Sequence, residues 1–332
     1  MPRDCGNLCA AGDSLYLAAG DHCQAIDAAT GRRGEVLPLP KPWRDTHDWG
    51  YIARAGDVLL GSATRRGSAY AGDEGEWFDG PEREAVAKVT SDGLFALDRD
   101  GSPRWVRRDG VIVNSTIAAT EDAVYFVESR SVAARIARSG RLAEEIGADH
   151  VVIALDLETG ERLWERPAEL GRAERVLYLS HARETLLLAG SSDRYHLWAF
   201  DARRGEPLWK RDVPFQRDHH GGALQHPVIV GSSIYLVETA HDLRTGEVLR
   251  SDLPERRGCG VMSASAGSLF YRHHFHTMWD LDSNERTVFP SIRSGCWLGI
   301  IPACGVLLAP ETSSGCYCAD ALQISVAFSP AR

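Results

Sequence analysis

No stretch of 18 consecutive apolar residues occurs in this chain, so the sequence offers no candidate transmembrane helix. The opening MPRDCGNLCAAGDSLYL has no apolar core and does not read as a signal peptide. Basic residues are in the minority. With 37 Lys and Arg against 46 Asp and Glu, the net charge of −9 leaves no electrostatic footprint for DNA or RNA. Eight cysteines in 332 residues are too few for a disulfide scaffold, and no two are adjacent. They are enough to leave the redox compartment open. The HExxH pattern of zinc proteases is missing as well.

What the chain does contain is a repeated sentence. VVIALDLETGERLWERP, at 151–167, reads as a strand, a tight turn on Asp156, Thr159 and Gly160, and a second strand closing on Leu163 and Trp164. YHLWAFDARRGEPLWKRDVP, at 195–214, repeats it with Asp201, Gly205, Leu208 and Trp209 in register. The Asp accepts backbone N–H bonds from residues further along the turn, and Gly supplies the positive φ of a tight hairpin. Trp adds a large apolar body able to wedge between neighbouring sheets. Further turn markers are Asp27, Asp98, Asp242 and Asp280; the last four steps between markers are 58, 45, 41 and 38 residues. One hairpin cannot bury its own face, so copies must stack, and this period suits a four-stranded propeller blade.

The chain is therefore expected to be all-β: a single propeller domain over 1–332 with seven four-stranded blades, or eight if upstream sequence is missing. The first repeat starts so abruptly that its first strand is expected from elsewhere in the ring, or the chain is a fragment. Two insertions interrupt the pattern. A Gly- and charge-rich loop lies near 64–90, and Val132, Ile136 and Leu142 suggest a short amphipathic helix in an insertion near 131–149. The final strand of the seventh repeat is expected to close the ring.

The pattern strand-Ala-x-Asp-x-x-Thr-Gly-x-x-Leu-Trp, from Asp13 to about Phe289, resembles the repeat of pyrroloquinoline-quinone-type propellers. That superfamily includes quinoprotein alcohol dehydrogenases and a propeller lipoprotein of outer-membrane assembly. The tail, with Arg257-Gly-Cys-Gly260, Arg293-x-Gly-Cys-Trp297 and Ser314-Gly-Cys-Tyr-Cys318, resembles uncharacterised bacterial multi-domain propellers. The resemblance implies a fold and an exported, periplasmic or extracellular location; it implies no reaction. Quinoprotein dehydrogenases carry an adjacent Cys pair, a Glu/Asn/Asp calcium site and a catalytic Asp. Here the nearest approach to the Cys pair is Cys316-x-Cys318 and no Glu/Asn/Asp constellation can be placed, so no cofactor is the leading expectation, with a quinone or a metal ion as the minor alternative.

Two histidine clusters, His219, His220 and His226 in one repeat and His273, His274 and His276 in the next, offer imidazole ligands. His219, His220, His274 and His276 are the metal candidates; only His274 and His276 have the i, i+2 spacing that puts strand ligands on one side. Polar lining of loops or a channel is the blander alternative. Cys296, Cys304, Cys316 and Cys318 lie too irregularly for a zinc site and are candidates for a disulfide, with Cys5, Cys9 and Cys23 a separate group.

The third candidate is a set of polar residues at the heads of inner strands: Asp48 and Trp49, Asn114, His226 and Ser263. Arg257, Arg272 and Arg293 would add positive charge, with Glu128 and Arg130 at an edge. Such a channel mouth suits a sugar or another polar ligand, or acid–base work by His226, Asp48 and Arg293. The leading expectation is a non-catalytic binding or scaffold module, part of a larger exported protein and with a protein or carbohydrate partner. A carbohydrate-active enzyme is the alternative, and a quinone-dependent oxidoreductase the third.

Overall fold

In the computed structural model, residues 7–66, 68, 87–146, 149–170, 176–215, 224–294, 299–310, 322 and 324–329 are described. They are almost entirely antiparallel β-structure. The first sheet runs β1 (Leu8–Ala11), β2 (Ser14–Ala19), β3 (His22–Asp27), β4 (Arg33–Pro38) in chain order. All four strands come from residues 8–38, so the first repeat borrows no strand, contrary to one of the two readings of its abrupt start.

A ten-stranded sheet follows, built of β5 (His47–Ala55), β6 (Val58–Arg65), β7 (Lys88–Leu97), β8 (Pro103–Arg107), β9 (Val111–Val113), β10 (Ala118–Ala119), β11 (Ala123–Ser129), β12 (Arg141–Leu142), β13 (His150–Asp156) and β14 (Arg162–Ala168). Within it β5–β8 form one meander, and β10, β11, β13 and β14 another. The short β9 joins them by pairing with both β7 and β11.

Three more four-stranded meanders keep chain order. They are β15 (Leu177–Ala182) to β18 (Pro207–Val213) through β16 (Thr185–Ser191) and β17 (Tyr195–Asp201); β19 (Val228–Val230) to β22 (Val248–Arg250) through β20 (Ser233–Leu236) and β21 (Thr239–Asp242); and β23 (Ser263–Ala264) to β26 (Arg286–Phe289) through β24 (Ser268–His273) and β25 (Phe275–Asp280). The last sheet has β27 (Ile301–Ala303), β28 (Val306–Ala309) and β29 (Val326–Phe328). The final strand thus pairs with its own sequence neighbour β28.

Contacts divide the described residues into two compact units, one holding those up to Leu188 together with Phe200–Pro207, the other Ala189–Ala199 and those from Leu208 onward. In the first, strand alternation sends successive residues to opposite cores. Val58, Leu60, Leu94 and Ala96 pack with Val124, Phe126, Ile153 and Leu155, while Leu59, Phe95 and Leu97 pack with Cys23, Leu37 and Ile52. In the second unit Met262, Leu269 and Tyr271 meet Val228, Val230 and Tyr235, and Phe270 on the opposite face meets Ile300 and Leu307.

The repeated turn behaves as its chemistry dictates. The Asp156 carboxylate accepts from the backbone N–H of Glu158 and Thr159 at 3.0 and 2.8 Å, and Gly160, at φ +71°, donates back to the Asp156 carbonyl. Asp27, Asp201, Asp242 and Asp280 repeat the arrangement, with Asn284 (φ +60°) in the glycine's place after Asp280. The tryptophans make the contact that holds repeats together. Trp105 donates to the Leu157 carbonyl at 2.8 Å, Trp164 to Ala202 at 2.9 Å and Trp209 to Leu243 at 3.1 Å. Each acceptor follows the turn Asp of the next repeat. The indole lies on that turn's glycine so closely that a Cβ on Gly160, Gly205 or Gly246 would stand 2.5–2.7 Å from ring carbons. Leu37 occupies the equivalent place against Gly101. Gly205→Ala is expected to lose stability twice over, from a left-handed φ worth about 1–2 kcal/mol in an L-residue and from the displaced Trp164 ring. Urea unfolding of the variant checks this.

Of the two expected insertions, only the second falls mainly among the described residues, and there a short helix is present. Most of 64–90 lies outside the described residues. At 131–149 the helix α1 (Val132–Ile136) is only five residues long, capped by Ser131. Val132 and Ile136 are exposed, and Leu142 is buried in β12 instead, paired to β7. Gly140 follows the short helix, and its carbonyl is taken by Thr90 of β7, which turns the chain into a strand.

Candidate functional site

The polar residues expected at strand heads do not share one environment. Asp48, on β5, lies with one carboxylate oxygen 3.7 Å from Nε of Arg66. Beside it, His47 Nε2 and Arg65 Nε converge on Asp92 at 3.1 and 2.8 Å. Burial opposes ionisation of Asp92, but the hydrogen bonds from His47 and Arg65 outweigh it and hold the carboxyl below its usual range. Trp49 is no platform. Its ring is 2% exposed and meets Phe95 edge-on at 4.9 Å. The β5–β6 register shifts between Trp49 and Ile52, and that irregularity puts the indole in the core. Asn114 is also interior at 1% exposure, at the start of a 3-10 turn, where its side chain accepts from Ser91 at 2.7 Å.

Glu128 and Arg130 are brought together, as part of a larger chain of charges. Glu128, 1% exposed, takes Arg107 at 3.1 Å and lies 3.6 Å from Arg130. Arg130 reaches Glu165 at 2.5 Å, which also holds Arg162 at 2.8 Å, and Arg107 reaches Asp109 at 2.9 Å. Arg107 also lies over the Phe126 ring. Gly110 leaves room for the Glu128 carboxyl, 2.4 Å from where a Cβ would stand. Alternate charges in a strip of this kind are a structural tie: Arg107 and Glu128 lie inside, while its ends, Asp109 and Arg162, are exposed and Arg130 and Glu165 lie between.

The second unit holds His226, Ser263, Arg257, Arg272 and Arg293. His226 is half-buried against the Pro227 carbonyl, and desolvation lowers its pKa. Ser263 donates to the Ile300 carbonyl at 2.6 Å. Arg257 is exposed beside Glu255, whereas Arg272 and Arg293 are each 4% exposed. His274 and His276 are not a ligand pair: His274 is exposed at φ +64° in the turn between β24 and β25, and His276 is buried and bonded to Ser294 at 2.7 Å. A hairpin tip separates them, which sequence spacing alone conceals. His219 and His220 lie outside the described residues, as do Cys5, Cys296, Cys316 and Cys318. Cys9, Cys23 and Cys304 form no disulfide with any described residue; Cys304 is exposed. Among the described residues no three of His, Cys, Asp and Glu gather to hold a metal ion.

Two histidines, His276 buried and His150 half-buried, shape the response to acid. Burial pushes His276 down to about 3, helped by Arg272 and Arg293, and burial with the Lys88 charge pushes His150 to about 4. Both titrate near 6.5 when unfolded, so below that pH the unfolded chain binds more protons. Their contribution is full above about pH 6.5 and declines as pH falls toward 4 and 3. The melting temperature is expected to fall from pH 7.5 to 5, and to fall less in a His150→Gln/His276→Gln variant.

The structure also assembles residues that the sequence did not announce. At the β16–β17 turn, Ser192 Oγ lies 2.8 Å from His196 Nε2, and His196 Nδ1 lies 2.8 Å from Asp212. Ser192 also donates to Asp193 at 3.0 Å and is 8% exposed. The serine, histidine and carboxylate have the connectivity of a proton relay. Their i, i+4 and i+20 spacing has no local signature, so only the hairpin and the neighbouring strand reveal them. A separate cleft of about 310 Å³ in the first unit is lined by Asp13, Tyr16, Asp27, Arg54, Asp98 and Arg99, with Arg54 over the Tyr16 ring.

The turn-and-tryptophan repeat is the decisive feature for relatives. A family model described as outer membrane protein assembly factor BamB matches residues 80–288. The chain belongs to that family. Its fold is accordingly a β-propeller of PQQ-like repeats. Among solved structures, the computationally designed protein Ika8 aligns with TM-score 0.54 and 8% identity over 92% of this chain and 79% of that one, a likeness of fold. BamB from Moraxella catarrhalis aligns with TM-score 0.40 and 16% identity, covering 80% of this chain and 79% of that one. No curated protein matches the chain. No helix among the described residues is long and apolar enough to cross a membrane.

Proposed function

We propose that this chain is a non-catalytic, protein-binding propeller of the bacterial envelope, acting in the assembly of outer-membrane proteins. On this reading residues 1–332 form one propeller of seven four-stranded blades, exported to the periplasm and working as part of a larger assembly. The observation that carries the reading is the family match across 80–288. The condition of the candidate catalytic residues supports it: Asp48 lies against Arg66, Arg293 is withdrawn from solvent, and His226 is half-buried against backbone. The test is made in the native host. A tagged chain should crosslink to outer-membrane assembly machinery, and its removal should lower the abundance of outer-membrane proteins. Unchanged abundance with no envelope crosslink would end the reading.

A second reading rests on Ser192, His196 and Asp212. Were it an ester-cleaving site, Ser192 would attack the carbonyl while His196 took its proton and Asp212 held the imidazole. The binding reading expects otherwise, since Ser192 is 8% exposed and donates to Asp193. A fluorophosphonate probe should leave the native protein unlabelled. Stoichiometric labelling at Ser192, lost in His196→Ala, would move the function to hydrolysis.

A further inference from the structure

The β24–β25 hairpin sets Arg272 directly opposite His276, so both side chains leave the same face of the sheet. Both are withdrawn from water, at 4% and 2% exposure. A guanidinium cannot escape burial by losing its proton, so it needs compensation from its surroundings. A buried ion left without it destabilises the fold strongly.

Arg272 receives little. Its Nη1 donates to the Cys259 carbonyl at 3.1 Å, its Nε has no partner, and it joins no ion pair with a described residue. His276 is in the same position. Its Nε2 is engaged with Ser294 Oγ at 2.7 Å and its Nδ1 has no partner. With Ser294 as donor to Nε2, the neutral ring carries its proton on Nδ1 and presents a second N–H. Arg293, 4% exposed, adds positive charge close enough to act on the His276 ring. The loop at Gly258, φ +128°, reaches the guanidinium only because it has no side chain: a Cβ there would lie 3.0 Å from Nε of Arg272.

We propose that Arg272 and His276 form a buried site for a small oxyanion, which accepts from Arg272 Nε and His276 Nδ1 and offsets the guanidinium charge. Apart from the Tyr271 carbonyl beside the His276 ring, the groups named here are donors or cations, which suits carboxylate or phosphate oxygens and disfavours metal ions. Water would satisfy the two N–H groups but leave the charge uncompensated. The site is independent of the partner-binding reading, because it needs no protein partner and lies within one compact unit.

The experiment is thermal unfolding of the whole chain in inorganic phosphate, acetate or chloride at fixed ionic strength and pH. Phosphate or acetate should raise the midpoint with a saturating dependence, and chloride should not. At a hundredfold excess over Kd the unfolding equilibrium should shift about 100-fold. Which of the two saturates first identifies phosphate or carboxylate as the preferred class. Arg272→Met should abolish the saturating rise, while Arg257→Met, at an exposed arginine, should keep it. In oxyanion-free buffer Arg272→Met should be at least as stable as the parent, because an uncompensated cation has been replaced by an apolar chain of similar reach. Should that variant fail to fold, selenate soaked into crystals of the parent gives the same answer by anomalous scattering beside Arg272. A linear, non-saturating effect shared by all variants would overturn the proposal. So would a water or a carboxylate of the chain itself at that place.

Discussion

Trp164→Ala is expected to remove about 3–5 kcal/mol of stability, the range for deleting a large buried aromatic. Three effects add. The ring is 7% exposed, so its apolar area returns to water. Its Nε1 donates to the Ala202 carbonyl, which would lose its partner. Gly205 would lose the ring that covers it, and the turn at Asp201 would open to solvent. Trp164→Phe separates these effects: it keeps most of the packing and loses the hydrogen bond, at about 1 kcal/mol. Urea unfolding of both variants gives the comparison. A loss below 1 kcal/mol in the alanine variant would show that the tryptophan contact is ornamental and that strand cores alone hold successive repeats.

Arg107→Met is expected to cost about 3–5 kcal/mol by leaving Glu128, 1% exposed, short of its closest cation. Arg130 lies 3.6 Å away and is 39% exposed, too distant and too wet to compensate fully. The double variant Arg107→Met/Glu128→Met should recover most of the loss, since paired removal of buried charges is often neutral. Arg130→Ala should cost under about 1 kcal/mol, as exposed pairs do. A double variant no better than Arg107→Met alone would locate the value of Arg107 in its contact with Phe126 instead.

The repeat was legible in the sequence because its signals are local. Asp, Thr and Gly within five residues specify a turn whatever surrounds them, and Asp27, Asp156, Asp201, Asp242 and Asp280 all make it. The tryptophan could be read as a wedge, but not its target, which lies about forty residues further along the chain. The candidate site was less legible. Trp49 and Asn114 have the polarity and position of strand-head ligands, yet a β-bulge turns one inward and a hydrogen bond to Ser91 holds the other inside. Val132 and Ile136 have helical spacing, but their helix is too short to bring them to a core. Arg272 was singled out for its charge; that it is buried opposite His276 depends on hairpin register, which composition does not encode.

Because each tryptophan is received by the turn of the next repeat, the interval from one tryptophan to the next is a unit of exchange. Excising residues 106–164 would bring Trp105 to the place of Trp164, facing Ala202 and Gly205 with the same indole and the same acceptor. Inserting a copy would be accommodated by the same rule, whereas a cut out of this register would strand an indole without a glycine to rest on. Unequal crossing-over at these points could change the number of repeats while each junction keeps its chemistry.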